Sequence, residues 1–376
     1  MIGVLAVLAA VAWLGLVLGR DGFWRCDQVL GEERPLKAAA VLAIVPARDE
    51  AALIGASVAS LLAQDYPGRL DVIVVDDGSR DDTAARAAAL PVPPGRGLHV
   101  HSAPPPPAGW SGKVAAQRAG LAVAVEHGFD APWLWFTDAD IAHAPATLSR
   151  LVATAERRDA ATVSVMADLN VTSAVERWLV PAFVYFFQLL YPFPAVNDRR
   201  RKPAAAAGGC MLVARTVLDR AGGLEVIRDQ LIDDVALARA VKATGASIRL
   251  VLSHGCTSRR PYDFQAFWTM VRRTAFTELR HSWSRLAGAL AGLTLLFVVP
   301  PAAVLLAGGV GRVAGLLALG LMALSVRPTL RWYHLGSWRA LLWPPAAWAY
   351  MAMTLHSALA HARGRTARWR GRVYRS

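Results

Sequence analysis

LDVIVVDDGS, residues 70–79, decides the fold. Its apolar, β-branched run suits the pleated surface of a buried strand. Asp76, Asp77 and Gly78 then stop the run with acids and a glycine turn. Upstream, AAAVLAIVP (38–46) reads as a second buried strand and EAALIGASVASLLAQ (50–64) as the helix joining the two. Downstream a helix starts near Asp82, GLHVHSA (97–103) reads as a strand, and Pro104–Pro107 exclude helix or central strand. KVAAQRAGLAVAVEHG (113–128) is helical, and APWLWFTDAD (131–140) is a strand running into two more acids. Alternating strands and helices imply an α/β fold with a mixed, mainly parallel sheet and helices on both faces. Such sheets bind ligands at the carboxyl ends of their strands, where both acid clusters fall.

These acids carry the chemistry. A glycine turn and an aspartate cap would explain Gly78 and Asp82, but not two adjacent acids on a strand tip. Asp138-Ala139-Asp140 repeats the pattern. In an extended segment, residues two apart point the same way, so both carboxylates can converge on one cation. Oxygen donors suit Mg²⁺ or Mn²⁺ holding a diphosphate. Asp233-Asp234 opens the helical pattern LIDDVALARAVKATG; either acid could cap that helix or act as a general base. Gly208-Gly209 gives the close backbone approach a substrate floor needs. The P-loop and dinucleotide fingerprints are absent, as are H-E-x-x-H and G-x-S-x-G, which removes the kinase, ATPase, dehydrogenase and hydrolase readings.

Composition adds a bilayer. The 376 residues are 55% hydrophobic and carry a net charge of +13. The mean hydropathy is +0.33. Residues 1–19 are uncharged, long enough to span, and followed by Arg20, so they read as an uncleaved anchor with its N-terminus outside. Apolar stretches at 286–309, 313–326 and 340–360 close the chain. If all of them span, the arginine-rich tail lies outside, against the positive-inside tendency; Pro300-Pro301 or Pro344-Pro345 could break one stretch and bring it back. The aromatic segment 174–196, with prolines at 181, 192 and 194, suggests an interfacial helix, with a buried core helix as the plainer reading. The domain layout is therefore an anchor at 1–19, a catalytic domain at 38–260, an interfacial segment at 261–285, a membrane region at 286–360 and a basic tail at 361–376. Arginines beside apolar segments favour anionic lipid over nucleic acid, for which no recognition motif occurs. Cys26, Cys210 and Cys256 are unpaired in spacing, so neither a disulfide framework nor a cysteine-based zinc site is expected, and a reducing compartment is.

In order, Val45–Glu50 (VPARDE), Val75–Ser79, Trp110-Ser111-Gly112-Lys113, Phe136–Asp140, Gly208-Gly209 and Ile232-Asp233-Asp234 resemble the motifs of a family 2 inverting glycosyltransferase of GT-A fold. DADIAHAP, LIDDVALAR and the flanking membrane segments are similar to the hopanoid-associated branch, related to ceramide glucosyltransferases. The resemblance implies that Pro46, Ala47, Arg48 and Glu50 flank the uracil and ribose of a UDP-sugar. Asp76 or Asp77 would bind the nucleoside, and Lys113 would lie near the nucleotide. Asp138 and Asp140 would hold the metal and sugar diphosphate, and Asp234 would be the base, with Asp233 beside it. It also implies a nucleotide-sugar donor and a lipid acceptor, hopanoid, polyprenyl phosphate or ceramide-like. The expected setting is a bacterial inner membrane with the catalytic domain facing the cytoplasm. The family's Q-x-x-R-W motif is imperfect in WTMVRRT (268–274), where Arg272 or Arg273 would contact the diphosphate. A catalytically inactive membrane scaffold of the same fold is the alternative from another class.

Overall fold

The computed structural model describes residues 1–364 and the backbone of 368–369 and 372–373. Half of the basic tail expected at 361–376 lies outside the described residues. After helix α1 (Ile2–Gly19) the chain alternates β1 (Val41–Ala47), α2 (Ile54–Leu62), β2 (Leu70–Asp76), α3 (Thr83–Ala88), β3 (Arg96–Ser102), α4 (Gly112–Glu126) and β4 (Trp133–Thr137). Then follow β5 (Ile141–His143), α5 (Thr147–Arg157), β6 (Thr162–Asp168), α6 (Ala174–Leu190) and α7 (Phe193–Asn197). β7 (Cys210–Ala214), α8 (Arg215–Arg220), α9 (Asp233–Ala243), β8 (Ile248–Ser258) and α10 (Phe264–Glu278) complete the domain.

The eight strands form one sheet in the order β3-β2-β1-β4-β7-β6-β8-β5. Its first half is parallel, as the sequence pattern implies. β7 runs antiparallel to both β4 and β6, and β5 antiparallel to β8. β1 and β2 are buried along their whole length, which is why they read as continuous apolar runs rather than alternating ones. Helix α4 lies so close to them that a Cβ on Gly120 would sit 2.8 Å from Ile44 and 3.1 Å from Val75. Glycine at that position lets α4 bring its N-terminal turn up to the strand tips.

Two local expectations change. Asp138-Ala139-Asp140 is not an extension of β4: the Ile141 N–H donates to the Asp138 carbonyl (3.2 Å), closing a turn into β5. The cap of α3 is likewise not the Asp82 side chain, which makes no capping bond; Asp81 accepts from the Thr83 N–H (3.1 Å) instead.

Among the described residues three helices are long and apolar enough to cross a membrane: Ile2–Gly19, Trp283–Leu306 and Gly309–Trp332. The fourth apolar stretch folds as helix Trp343–Ala362 without reaching that hydropathy. Pro300 and Pro301 do not end the second of these helices, because a π-turn over Thr294–Val298 precedes them. Proline at 300 leaves the Leu296 carbonyl without its helical donor. The Trp13 indole of α1 supplies one at 2.9 Å, and its ring meets Phe297 edge-on.

Segment 174–196 folds as α6 followed by α7, and the burial of α6 is that of a core helix. Ser173 and Glu176 form a capping box, and Leu179, Val180, Val184 and Tyr185 are fully buried. The aromatic side chains face the apolar helices: Tyr185 bonds Ser325 (2.8 Å) and packs edge-on against Trp343, while Phe186 meets Phe297 and Tyr350. α6 thereby joins the α/β domain to the apolar helices.

Candidate active site

The strand tips, the start of α9 and one face of α10 enclose a cleft of about 620 Å³. Each wall follows from local chain chemistry. β1 ends in Pro46, and Arg48 beyond it bonds the Asp77 carbonyl, with its guanidinium 3.8 Å from the Asp77 carboxylate. The Asp77 N–H returns a bond to the Ala47 carbonyl (2.8 Å), so the tips of β1 and β2 are laced together. Asp76 is committed to the turn after β2, accepting from the Ser79 N–H and hydroxyl. Ser111 caps α4 through the Val114 N–H (3.3 Å), which fixes the turn carrying Lys113.

Lys113 is the hub. Its Nζ lies 2.8 Å from Asp138 and 3.4 Å from Asp233. Burial would lower its pKa, but Asp138 and Asp233 more than offset that and raise it, so Lys113 is held as a cation. Asp234, next along α9, accepts from the Gly208 N–H (2.7 Å) and the Val235 N–H (2.8 Å). Burial and the neighbouring Asp233 charge push it up, Lys113 and the two N–H bonds pull it down, and the result is about 7. A carboxyl poised there can exchange a proton near neutrality.

Asp140 faces a second cation. Arg260 Nε lies 2.9 Å from it and Nη2 lies 2.5 Å from Glu50, so one guanidinium bridges two acids. Ser258 adds a bond to Asp140 (3.3 Å). Burial alone would lower the Arg260 pKa; the two carboxylates raise it instead. Over the cleft, α10 presents Gln265, Ala266, Thr269, Met270 and Arg273, residues that share one helical face. The Arg273 Nε is buried without a hydrogen-bond partner.

Of the residues singled out in the sequence, Pro46, Arg48, Glu50, Lys113, Asp138, Asp140, Asp233 and Arg273 line this cleft together. Asp234 stands behind Gly208, and Asp76, Asp77 and Ala47 form the scaffold under Arg48. Arg273 is part of the lining and Arg272 is not. Sequence reading missed Arg260, Tyr262, Gln230 and Asp263. The available signal was Arg259-Arg260-Pro261 ending a strand, which has no meaning until β8 is paired with β5. The all-oxygen donors Asp138 and Asp140 fit a hard divalent cation. Without one, each is neutralised by its own protein cation.

Residues 42–222 match the sequence model described as Glycosyl transferase family 2. No curated protein matches the chain. Among solved structures, the chain is similar to a mannosyltransferase from Pyrobaculum calidifontis in complex with GDP-Man and Mn²⁺. Identity is 20%, coverage is 97% of this chain and 100% of that one, and the TM-score is 0.57, which establishes the GT-A-like fold. Glucosyl-3-phosphoglycerate synthase from Mycobacterium tuberculosis is 20% identical over 64% of this chain and 79% of its own, with a TM-score of 0.40. Mannosyl-3-phosphoglycerate synthase from Rubrobacter xylanophilus is 17% identical over 72% and 82%, with a TM-score of 0.40.

Proposed function

Because residues 42–222 carry a family 2 glycosyltransferase domain, we propose that the chain moves a hexose from a nucleoside-diphosphate sugar, UDP-linked by the motif resemblance, to a membrane lipid, with inversion. The observation that carries this reading is the convergence of Asp138, Asp140, Lys113, Arg260 and Arg273 in one cleft directly beside Asp234. A sugar diphosphate needs cations along its oxygens and its acceptor hydroxyl needs a base; the cleft residues would serve the first and Asp234 the second.

Mg²⁺ or Mn²⁺ held by Asp138 and Asp140 would neutralise charge on the departing diphosphate. Arg48, Glu50 and the Asp77 scaffold would seat the nucleoside at the tips of β1 and β2. Arg273 would close on the diphosphate from α10, its unsatisfied Nε finding an acceptor there. Asp234 would take the acceptor hydroxyl's proton as that oxygen attacks from the face opposite the leaving diphosphate. One displacement then inverts the configuration, with no covalent intermediate.

The lipid acceptor, hopanoid-related by the motif resemblance, is supported by the placement of the cleft. Its roof, α10, packs directly on helix Trp343–Ala362 and through α6 on the helices long enough to span a bilayer. Three spans also answer the charge problem posed by the tail. With α1 entering from outside, Trp283–Leu306 and Gly309–Trp332 go out and return, so everything after Trp332 lies on the side of the catalytic domain. That side is the cytoplasm by the positive-inside tendency. The test is nucleotide release by the full chain in nanodiscs, across UDP- and GDP-sugars, with bacterial lipid or purified hopanoid, and with Mn²⁺ or EDTA. Release that needs metal and lipid and is lost in Asp234→Asn is the expected result. Nucleotide release that proceeds equally without lipid would refute the lipid acceptor, and absence of any nucleotide binding would refute the transferase.

A further inference from the structure

Behind the cleft floor, on the far side of the residues already described, three side chains meet in the core. His143 ends β5, Cys210 starts β7 and Cys256 lies on β8. Cys210 and Cys256 are fully buried and His143 is 5% exposed. Among the described residues they are the one group of three or more histidine, cysteine and acid side chains close enough to share a metal, with all three ligand atoms within 4.8 Å of one another. The sheet builds this corner by pairing. His143 is the register partner of Cys256 across β5 and β8, and Cys210 that of Thr137 across β7 and β4.

The hydrogen bonds orient the imidazole. The Thr137 hydroxyl has one proton, and it donates it to the Gly209 carbonyl at 2.9 Å. The contact of 2.8 Å between Thr137 Oγ1 and His143 Nε2 is then donated by the imidazole. Nε2 is thereby engaged, which leaves the buried Nδ1, without a partner of ordinary hydrogen-bond geometry, as the nitrogen available to an ion. Metal-bound histidines show this arrangement: one nitrogen donates to a fixed oxygen and orients the other toward the ion. The Trp135 indole donates to Cys210 Sγ at 3.4 Å, a contact that favours a thiolate.

We propose that His143 Nδ1, Cys210 Sγ and Cys256 Sγ bind a thiophilic cation, Zn²⁺ or Cu(I), in a structural site behind the donor cleft. Bond lengths of about 2.3 Å to sulfur and about 2.0–2.1 Å to nitrogen require ligand atoms roughly 3.5–4 Å apart, within a small side-chain adjustment of the observed cluster. Soft thiolates and an imidazole select these ions over Mg²⁺ or Mn²⁺. The ion enters as two thiol protons leave, so for Zn²⁺ the buried assembly carries no net charge. This site is separate from the oxygen-donor pair at 138 and 140, and does not depend on the proposed reaction. It would still act on the cleft. His143 is three residues beyond Asp140, Cys210 two beyond Gly208, and Cys256 two before Ser258, which bonds Asp140. One ion would pin all three loops that form the floor.

The test is elemental analysis and X-ray absorption on the full chain, purified in detergent under reducing conditions without an affinity tag. The expected result is about one zinc or copper per chain with sulfur neighbours near 2.3 Å. The metal should be lost in Cys210→Ser and Cys256→Ser and kept in Asp138→Asn. The wild-type measurement stands even if the cysteine variants fail to fold. Metal-free wild-type chain after reconstitution, metal with only nitrogen and oxygen neighbours, or a Cys210–Cys256 disulfide seen as a mass deficit of two hydrogens would each overturn the proposal.

Discussion

Asp234 is held near neutrality by opposing causes that can be removed one at a time. Its pKa of about 7, against an ordinary 3.8, corresponds to roughly 4 kcal/mol at about 1.36 kcal/mol per unit. At pH 6 only about one base in ten would be ionised, so the rate should fall tenfold per unit below neutrality. An ordinary carboxylate would show no such loss. Asp233→Asn removes one cause of the rise while leaving burial, so the acid limb should move down and activity at pH 6 should approach the plateau. Lys113→Met removes an opposing charge, so the limb should move up. Stability carries the same signature with a definite sign. The folded pKa lies above the unfolded one, so the protonated carboxyl favours the folded state below about pH 4, and that contribution is lost as pH rises through 7. The assay is the initial rate of nucleotide release at saturating donor from about pH 5 to 8.5 in wild type and both variants, comparing limb positions rather than plateaus. A wild-type limb below pH 5, a limb unmoved by Asp233→Asn, or an active Asp234→Asn would refute the reasoning. If Asp233→Asn alone is dead, the base is the acid that faces the cleft.

Three further outcomes follow from the same geometry. Arg273→Ala should weaken donor binding about 10–100-fold, the size of a charged hydrogen bond, whereas Arg272→Ala should change it less than about twofold; calorimetric titration with nucleoside diphosphate separates them. Gly208→Ala would place a Cβ 3.1 Å from Lys113 Nζ and 3.2 Å from Asp234 Oδ2; turnover should drop by roughly tenfold with little change in melting temperature, because the groups displaced are functional. Arg260→Ala frees Asp140 from its guanidinium, so Mn²⁺ should bind more tightly by up to about fivefold, the worth of about 1 kcal/mol from one ion pair, while donor binding weakens; equal or weaker metal binding would show that Arg260 does not compete with the cation.

The parallel half of the fold was legible because burial on both faces forces continuous apolar runs, and the acids that end those runs mark the ligand side. The antiparallel half was not. β5, β6, β7 and β8 owe their direction to pairings between residues 47 to 117 apart, as with His143 and Cys256, and no local pattern encodes them. The same pairing hid Arg260 and the Cys–His cluster. Asp138-Ala139-Asp140 lines the cleft, but it does so through a turn into β5 and not through strand alternation. Segment 174–196 misled because aromatic residues and internal prolines suit both a membrane interface and a helix wedged among apolar neighbours. Only packing distinguishes the two. In that packing Pro181 is buried and Tyr185 hydrogen-bonds inside the bundle.

The ion pairs also say what state the cleft is in. Carboxylates this close together repel unless something neutralises them, and in the free chain Lys113 and Arg260 do so, one for each member of the D-x-D pair. A divalent cation on Asp138 and Asp140 competes for the oxygens those side chains hold. Each cation it displaces is left beside a new anion, the diphosphate that arrives with the metal. Lys113 Nζ remains within reach of Asp233, and Arg260 of Glu50, so neither is stranded in the exchange. On the proposed reading the displaced charges would become donor-binding groups at the moment the donor enters. The pairings seen in the free chain and the sites proposed for the loaded one are two occupancies of the same oxygens, which is why the acids fit a metal although each already has a partner.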